Sequence, residues 1–345
     1  MNQHLDNTLY SMKNTIMSKS ISILPLFDQP TAFRQYQLNN RFSSLYRLVD
    51  QIGSGGYGFV MSAIHRITKQ EVAVKFIYKE KLATTIHEPL EINILKRIRH
   101  PAVIDYIDSF EDVNYFYLVM ELYGCEWKAS SHESSTSSMS SPMTPDNNKG
   151  IDHFSTSFPS PPQQKVRRSS CDLFECIERH IKLSEAQTHK IFQQIVQCVD
   201  DLSSIGIYHR DIKDENIVVD SSFNVKLIDF GSAIQIPQNC SRDEFTIKEF
   251  HGTISFASPE ILLGLSYRPE PAEVWSLGVL LFTLLYGQVP FSNSNHVISG
   301  NWSRPIQPKS SDCMDLLTGL LKNNPQKRLT VKQILQHPWM ATYSV

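Results

Sequence analysis

Apolar residues between positions 46 and 123 follow the alternation that is typical of β-strands. The stretches at 71–77 and 115–120 are rich in β-branched and aromatic side chains, as the strands of a partly buried sheet are. Between them, residues 89–99 have apolar positions at helical spacing. The pattern therefore predicts a small, mainly β lobe over residues 46–123 that carries one helix.

The second half of the chain changes to helical periodicity. Ile191, Ile195 and Val199 recur at the spacing that places them on one face of a helix. Short strand-like pieces interrupt this pattern around Ile217 and Leu227. We therefore predict a larger, mainly α-helical lobe over residues 172–339. The predicted fold class is α+β, with two lobes of different composition.

Two stretches of the chain lack both periods. Residues 1–42 are dominated by Asn, Ser, Thr and Gln, and residues from about 128 to 170 by Ser, Thr and Pro. Such segments bury too little apolar surface to offset the conformational entropy that is lost on ordering. We predict a flexible N-terminal tail at 1–42 and a disordered insertion between the two lobes.

Composition narrows the class of protein. Of the 345 residues, 41% are hydrophobic and the formal net charge is -2, so there is no electrostatic reason to expect nucleic acid or an anionic membrane as a partner. The apolar run at 274–287 is shorter than the ~20 residues of a membrane span and is predicted to be a buried helix. The six scattered cysteines are typical of a reducing compartment. We expect a cytoplasmic protein without a signal peptide that can also enter the nucleus.

Three motifs in a fixed order carry the candidate chemistry. Gly53, Gly55 and Gly58 lie between two strand-like pieces, where the absence of side chains lets backbone N–H groups approach phosphate oxygens. A dinucleotide-binding fold would need a helix after the third glycine, and the β-branched continuation argues against it. The other motifs are His209-Arg210-Asp211-Ile212-Lys213-Asp214-Glu215-Asn216 and Asp229-Phe230-Gly231. The ordered set resembles the signature of eukaryotic protein kinases, and the resemblance covers about residues 46–340.

The resemblance implies a two-lobed protein kinase fold that transfers the γ-phosphoryl group of ATP to serine or threonine hydroxyls of protein substrates. Asp211 is expected to orient the acceptor hydroxyl and accept its proton, and Lys213 to neutralise charge on the moving phosphoryl group. Thr253 is expected to hydrogen-bond near both residues. Asn216 and Asp229 offer the hard oxygen ligands that Mg²⁺ prefers.

Lys75 is a charged residue within an otherwise apolar strand, so its burial requires a negative partner. The expected partners are the phosphates of ATP, which is predicted to bind between the lobes, and Glu91 on the following helix. Glu88, just before Pro89, is the rival carboxylate. The other positions expected to contact ATP are Ile52, Gly53, Ser54, Gly55, Gly56, Tyr57, Gly58, Phe59, Val60, Ala73, Met120, Glu121, Tyr123 and Val218.

Some positions depart from the family pattern. Ser258 replaces an alanine, and Glu273 replaces the aspartate that caps the backbone of the catalytic loop. Glu249 occupies the position that is commonly phosphorylated for activation. Its carboxylate is therefore expected to pair with Arg210 and His87 and to order the loop without a phosphate. Thr246 is the rival regulatory site, through its own phosphorylation.

Other features bear on the subfamily and on substrates. The ending His337-Pro338-Trp339 resembles the calcium/calmodulin-kinase group, and within it the chain resembles the PAS-domain kinases and their fungal relatives. The acids Glu126, Asp172 and Glu215 are expected to contact basic residues upstream of the acceptor serine, and Glu126 and Asp172 compete for one role.

The resemblance also implies structural contacts and leaves two alternatives. Glu260 and Arg328 are expected to form an ion pair, and a stack of side chains is expected at Leu95, Tyr106, His209 and Phe230. One alternative is a pseudokinase scaffold, but such proteins usually lack equivalents of Lys75, Asp211 or Asp229. The other is a small-molecule kinase, which the peptide-docking segment at 252–260 argues against.

Overall fold

The computed structural model describes residues 36–82, 87–124, 172–180, 183–303 and 305–342. The predicted tail up to residue 35 and the predicted insertion at 128–170 lie outside these ranges. The chain divides into two compact units. The first ends at Ile86 and resumes over Ile107–Leu122, and the second comprises His87–Tyr106 and the chain from Tyr123 onward.

The first unit is built on a five-stranded sheet. The strands lie in the order β1-β2-β3-β5-β4, and the pairs β1/β2, β2/β3 and β3/β5 are antiparallel. The strands are β1 (Tyr46–Gly55), β2 (Gly58–His65), β3 (Glu71–Tyr78), β4 (Tyr106–Glu111) and β5 (Tyr115–Glu121). Short runs of β-branched and aromatic residues favour such strands, so the predicted β-rich unit is confirmed.

Alternate residues of these strands lie on opposite faces of the sheet. One face is aromatic: Phe76 is buried and lies directly across from Phe59 on β2 and from Tyr117 on β5. The other face carries Lys75, which lies across from Val60. The hydrophobic core of the unit is therefore on one face. The predicted ATP contact Phe59 belongs to that core, whereas Val60 and Lys75 are on the other face.

A short helix corrects the predicted N-terminal boundary. Helix α1 (Asn40–Leu45) overlaps the stretch predicted as a flexible tail ending at residue 42. The Asn39 side chain caps it by accepting a hydrogen bond from the Phe42 amide at 3.1 Å, and Phe42 is 0% exposed. The prediction is wrong here because a helix of 6 residues gives too few apolar positions to establish a helical period. Packing against the sheet, rather than local propensity, orders this segment.

The second unit is mainly helical, which confirms the predicted α+β class. Its helices are α2 (Leu90–Arg97), α3 (Leu173–His180), α4 (Glu185–Ser204), α5 (Pro259–Leu262), α6 (Pro269–Tyr286), α7 (Ser294–Ser299), α8 (Ser311–Leu320), α9 (Val331–Leu335) and α10 (Pro338–Ala341). Two antiparallel pairs of short strands accompany them: β6 (Ile207–Tyr208) with β9 (Ile234–Gln235), and β7 (Ile217–Val219) with β8 (Val225–Leu227).

Helix α6 forms the centre of the second unit. It is buried on nearly all sides, and α4 and α8 pack against it. The helix ends where Gly287 adopts the left-handed conformation at φ 70°, which glycine adopts without steric cost. The predicted buried helix at 274–287 is confirmed. Among the described residues, we find no helix whose length and apolar character would let it cross a membrane.

Helix α2 belongs to the second unit, although the sequence assigns it to a lobe spanning 46–123. It contacts the 3₁₀ turn Phe230–Ser232, and Arg97 donates a hydrogen bond to the Gln235 side chain at 2.7 Å. Periodicity along the chain locates a helix but not the residues that it packs against. The sequence therefore could not show that α2 packs with the second unit.

Candidate active site

The loop after β6 brings four predicted residues together. Asp211 Oδ1 accepts a hydrogen bond from the Thr253 backbone amide at 2.8 Å, and Oδ2 accepts one from the Asn216 side chain at 2.9 Å. Asn216 also donates to the Asp211 carbonyl at 2.8 Å. Lys213 Nζ lies 3.9 Å from Asp211 Oδ2. Thr253 is thus placed as expected near Asp211, but the group that binds is its backbone amide.

The Asp211 carboxylate is held in a geometry suited to receiving a proton. Two donors fix its plane, and an ionised carboxylate has about four lone-pair sites, so it can accept further hydrogen bonds. A hydroxyl that approaches it would be both oriented and deprotonated. The nearby ammonium of Lys213 supplies positive charge on the same side.

The catalytic loop is supported by Glu273 at its back. Glu273 accepts a hydrogen bond from the Arg210 amide at 2.8 Å, and Arg210 adopts φ 66°. His209 hydrogen-bonds the Ile228 carbonyl at 2.9 Å. Burial raises the pKa of Glu273 to about 7, although the amides of Arg210 and His209 favour its charged form. The expectation that Glu273 caps the loop backbone is confirmed.

Titration of Glu273 is expected to make stability depend on pH. An unfolded glutamate has a pKa of ~4.3, below the value of about 7 in the folded protein. Between these values the folded state keeps a proton that the unfolded state releases. The contribution of Glu273 to the free energy of unfolding therefore falls as pH rises towards 7, by at most about 4 kcal/mol.

Chemical denaturation of the wild type and of Glu273→Gln from about pH 5 to about pH 8 checks this expectation. The difference in unfolding free energy, wild type minus variant, should decrease up to about pH 7 and stay constant above it. A difference that is the same at every pH would show that Glu273 titrates normally.

The predicted metal ligands lie at the two ends of the β7/β8 hairpin. Asn216 directly precedes β7, and Asp229 follows shortly after β8. The Ile228 amide donates to the Asn216 carbonyl at 2.9 Å, and Asp229 is the next residue. Because Asn216 uses its side-chain nitrogen on Asp211, its amide oxygen is the atom left for a cation. A carboxylate and an amide oxygen are hard donors that fit Mg²⁺.

Asp229 begins a tight turn. It adopts the left-handed conformation at φ 62° and ψ 72°, and its Oδ1 accepts a hydrogen bond from the Gly231 amide at 3.2 Å. The following Phe230 is buried, and its ring lies 4.8 Å from that of His209 in an edge-to-face arrangement. His209 and Phe230 of the predicted stack thus form a ring pair, and α2, which carries Leu95, packs on the same turn.

The glycine-rich turn joins β1 to β2 in the first unit. Gly55 lies across from Gly58, with Gly56 and the half-exposed Tyr57 between them. A Cβ atom at Gly58 would lie 1.9 Å from the Phe76 carbonyl oxygen, whereas none of the described atoms lies within 4 Å of a Cβ at Gly55 or Gly56. Gly58 is therefore required by strand packing, while Gly55 and Gly56 keep the turn open on the side that a phosphate could approach.

Lys75 and Ala73 share the face of the sheet opposite the aromatic core. Lys75 lies across from Val60 on β2, and Ala73 lies across from Met120 on β5. Lys75 and its predicted partner Glu91 belong to different units, so that ion pair stays a prediction.

The rival carboxylate Glu88 has a partner of its own. It pairs with Lys96 within the second unit. Glu91 lies in the first turn of α2 and is 5% exposed. The remaining ATP-contact predictions in the second unit are Tyr123, which donates to Asp220 at 3.0 Å, and Val218 on β7.

Comparison with known proteins identifies the family. A family model described as protein kinase domain matches residues 46–144 and 166–340. The chain belongs to the protein kinase family. It is 35% identical over 303 residues to the PAS domain-containing serine/threonine-protein kinase of Mus musculus, a match that covers 86% of this chain and 18% of that protein.

Two further kinases are similar. NUAK family SNF1-like kinase 1 of Mus musculus is 29% identical over 321 residues, covering 90% of this chain and 41% of that protein. Serine/threonine-protein kinase PSK1 of Saccharomyces cerevisiae is 29% identical over 313 residues, covering 87% and 19%. The chain spans less than half the length of these relatives. The predicted resemblance to PAS-domain kinases and fungal relatives is confirmed.

The activation segment of this kinase corrects the expected role of Glu249. The Arg210 guanidinium donates to the Glu249 backbone carbonyl, not to its carboxylate. The carboxylate is 89% exposed and lies 3.6 Å from His251 Nε2. The expected pairing with Arg210 is wrong because the Glu249 side chain is directed to solvent and His251, while its backbone carbonyl makes the contact with Arg210. Thr246 is exposed, and its phosphorylation stays a prediction.

Tyr267 completes this contact, and the sequence pattern does not single it out. Its hydroxyl donates to the Glu249 carbonyl at 3.1 Å and accepts from Arg210 at 3.3 Å. Its backbone pairs with Ile247 through two hydrogen bonds of 2.8 and 2.9 Å. A lone tyrosine outside any motif gives no signal in the sequence, so only the tertiary structure reveals this role.

The acids predicted to recognise substrates have different surroundings. The Glu215 side chain is 54% exposed and lies 2.5 Å from Lys213. Burial favours a lower pKa for Lys213, but the hydrogen bond to Glu215 and the charge of Asp211 outweigh it, so the pKa is raised. Asp172 caps α3 by accepting from the Glu175 amide at 2.9 Å. Glu126 lies outside the described residues.

Ser258 is a buried serine whose hydroxyl finds no hydrogen-bond partner within the described part of the kinase. It precedes α5 but makes no side-chain cap there. Because an alanine at this position would lose no hydrogen bond and would remove an unsatisfied polar group, we expect Ser258→Ala to stabilise the protein by about 1 kcal/mol. Thermal unfolding should show a higher midpoint.

Ser184→Ala is the matched control, because Ser184 forms a complete capping box with Gln187 at the start of α4. Removing that cap should destabilise the protein by about 1 kcal/mol. If Ser258→Ala also lowers the midpoint, the hydroxyl of Ser258 has a stabilising partner and the expectation fails.

Proposed function

We propose that this chain transfers the γ-phosphoryl group of ATP to serine or threonine hydroxyls of protein substrates. The observation that carries the proposal is the Asp211 carboxylate, which is fixed by the Thr253 amide and the Asn216 side chain, with Lys213 beside it. A group held in this way can place an acceptor hydroxyl for in-line attack, which is most of what phosphoryl transfer requires. Two of the three relatives named above carry serine/threonine-protein kinase in their names.

Each residue has a separate task in this proposal. Asp211 orients the hydroxyl and accepts its proton, while the raised pKa of Lys213 keeps its ammonium charged beside the transferred phosphoryl group. Asn216 and Asp229 would hold Mg²⁺, which when bound offsets the negative charge of the phosphates. In the first unit, Lys75 and the amides of the glycine-rich turn would contact the phosphates of ATP.

Substrates with basic residues upstream of the acceptor are part of the proposal. Glu215 supports it best, because its carboxylate is more than half exposed and lies in the catalytic loop. Each acid already uses its carboxylate, Asp172 to cap α3 and Glu215 to pair with Lys213, so the greater exposure of Glu215 is what favours it.

Incubation of the purified protein with Mg²⁺ and γ-labelled ATP tests the proposal. The acceptors are a serine peptide with upstream arginines, the same peptide with alanines in their place, and the same peptide with tyrosine as acceptor. We expect label on the arginine–serine peptide, less on the alanine peptide and none on tyrosine. Nucleotide binding without transfer to any peptide or protein would point to a scaffold and contradict the proposal.

A further inference from the structure

Residues 36–45 precede the part of the chain that the kinase family model matches, yet they complete the core of the first unit. Phe42 is 0% exposed and sits among aromatic side chains of the sheet. Its ring centroid lies 5.0 Å from that of Tyr117, 5.5 Å from that of Phe110 and 6.2 Å from that of Phe76. Without α1, the aromatic face of the sheet at these residues would meet solvent.

Polar contacts fix α1 across the sheet. The Asn39 side chain donates to the Glu111 carbonyl at the end of β4 at 2.8 Å. Arg66, just after β2, donates from its amide to the Leu45 carbonyl at 2.7 Å and from its Nε to the Ser43 carbonyl at 2.9 Å. The helix is thus tied to strands on both sides of β3, which places Phe42 at a fixed depth.

The packing of Phe42 continues to the strands that carry the predicted phosphate contacts. Phe42 meets Phe76, whose ring stacks on Phe59 at 4.9 Å with an interplanar angle of 5°. Phe76 is the neighbour of Lys75, and Phe59 is the neighbour of Gly58. Neighbouring residues of a strand lie on opposite faces, and closely packed cores transmit displacement, so a shift of Phe76 would also move Lys75.

We propose that Phe42 is a positioning residue for phosphate binding: by filling the aromatic face, it holds β2 and β3 so that Gly58 and Lys75 stay in register. The proposal rests on the ATP binding proposed above. In this proposal, residues 36–45 contribute to nucleotide binding because they hold the sheet of the first unit in place.

The test compares Phe42→Leu and Phe42→Ala in the full chain. Each protein is measured for its dissociation constant for ATP with Mg²⁺, for its KM towards the peptide, and for amide hydrogen exchange over residues 58–60 and 74–76. We expect the dissociation constant to rise about tenfold in Phe42→Ala and about twofold in Phe42→Leu, because small displacements of positioning groups have large effects. Exchange at the two strand segments should rise in the same order, while the KM for peptide stays unchanged.

Leu316→Ala is the control, since Leu316 is fully buried in α8 of the second unit and has no proposed role. It should lower thermal stability without changing nucleotide affinity or exchange at the two segments. At temperatures where all proteins are folded, equal ATP affinity and equal exchange across the Phe42 series would overturn the proposal. If Phe42→Ala does not fold, Phe42→Leu against the wild type decides it.

Failure of the proposed function can be told apart from failure of the role proposed for Phe42. A wild type that does not bind ATP would contradict the proposed function, but hydrogen exchange needs no nucleotide. Faster exchange at 58–60 and 74–76 in the Phe42 variants would then still support the claim that Phe42 holds β2 and β3 in position. Unchanged exchange would overturn that claim.

Discussion

Replacing Asp211 by asparagine is expected to lower the rate of phosphoryl transfer by roughly 10²–10⁴-fold, the range that a general base contributes. Asparagine keeps the shape of the side chain but cannot take up the proton. It also turns an NH₂ group towards either the Thr253 amide or the Asn216 side chain, both of which are donors. One of the two hydrogen bonds that orient the side chain is therefore lost.

Turnover and nucleotide affinity should be measured together for Asp211→Asn. The affinity for ATP should stay close to that of the wild type, because the substitution removes a group that acts on the acceptor. Glu215→Gln is the comparison in the same loop. We expect it to raise the KM for an arginine-containing peptide and to lower kcat far less than Asp211→Asn does, because Lys213 keeps its position beside Asp211. An Asp211→Asn protein that is folded and retains most of its turnover would exclude Asp211 as the base.

Loss of the Arg328 guanidinium is expected to have the largest effect on stability. Arg328 pairs with both carboxylate oxygens of Glu260 at 2.9 and 3.1 Å, and its side chain is 0% exposed. It also donates to the carbonyls of Pro271, Lys322 and Asn323 and lies 5.1 Å from the Trp275 ring centroid. The ion pair expected from the sequence is confirmed.

Arg328→Met would leave the Glu260 carboxylate buried without its cation, which costs about 3–5 kcal/mol in such cases. Denaturation followed by tryptophan fluorescence measures the loss. Arg268→Met is the control, because Arg268 pairs at 2.7 Å with Asp243, whose side chain is 85% exposed. An exposed pair contributes ~0–1 kcal/mol. Equal losses in the two variants would mean that burial of the Glu260–Arg328 pair has no special effect.

Residues that act within one short motif could be predicted from the sequence. Asp211 and Asn216 lie in one short loop, so their spacing predicts that they are close together, and the Asn216 side chain does hydrogen-bond Asp211. The resemblance likewise assigns both Val60 and Lys75 to the ATP site, and the two residues lie across from each other on one face of the sheet. In both cases the relevant geometry is set by local backbone structure.

Contacts that depend on tertiary packing could not be predicted. Phe42 lies in a short and mostly polar stretch of the sequence, where a helix of 6 residues gives too few apolar positions to establish a period. At Glu249 the sequence shows a carboxylate but not which oxygen meets Arg210, and the backbone carbonyl makes that contact. The motif assigns Gly58 to phosphate binding, while the Phe76 carbonyl 1.9 Å from its missing Cβ gives a steric reason that no motif contains.

The link between Thr253 and Asp211 has an evolutionary consequence. Its donor is a main-chain amide, which every amino acid except proline possesses. Substitutions that change only the side chain at this position therefore leave the hydrogen bond between the catalytic loop and the segment after Gly252 in place. Selection can therefore act on the threonine hydroxyl separately from this hydrogen bond. Only a mutation to proline would remove the amide that donates it.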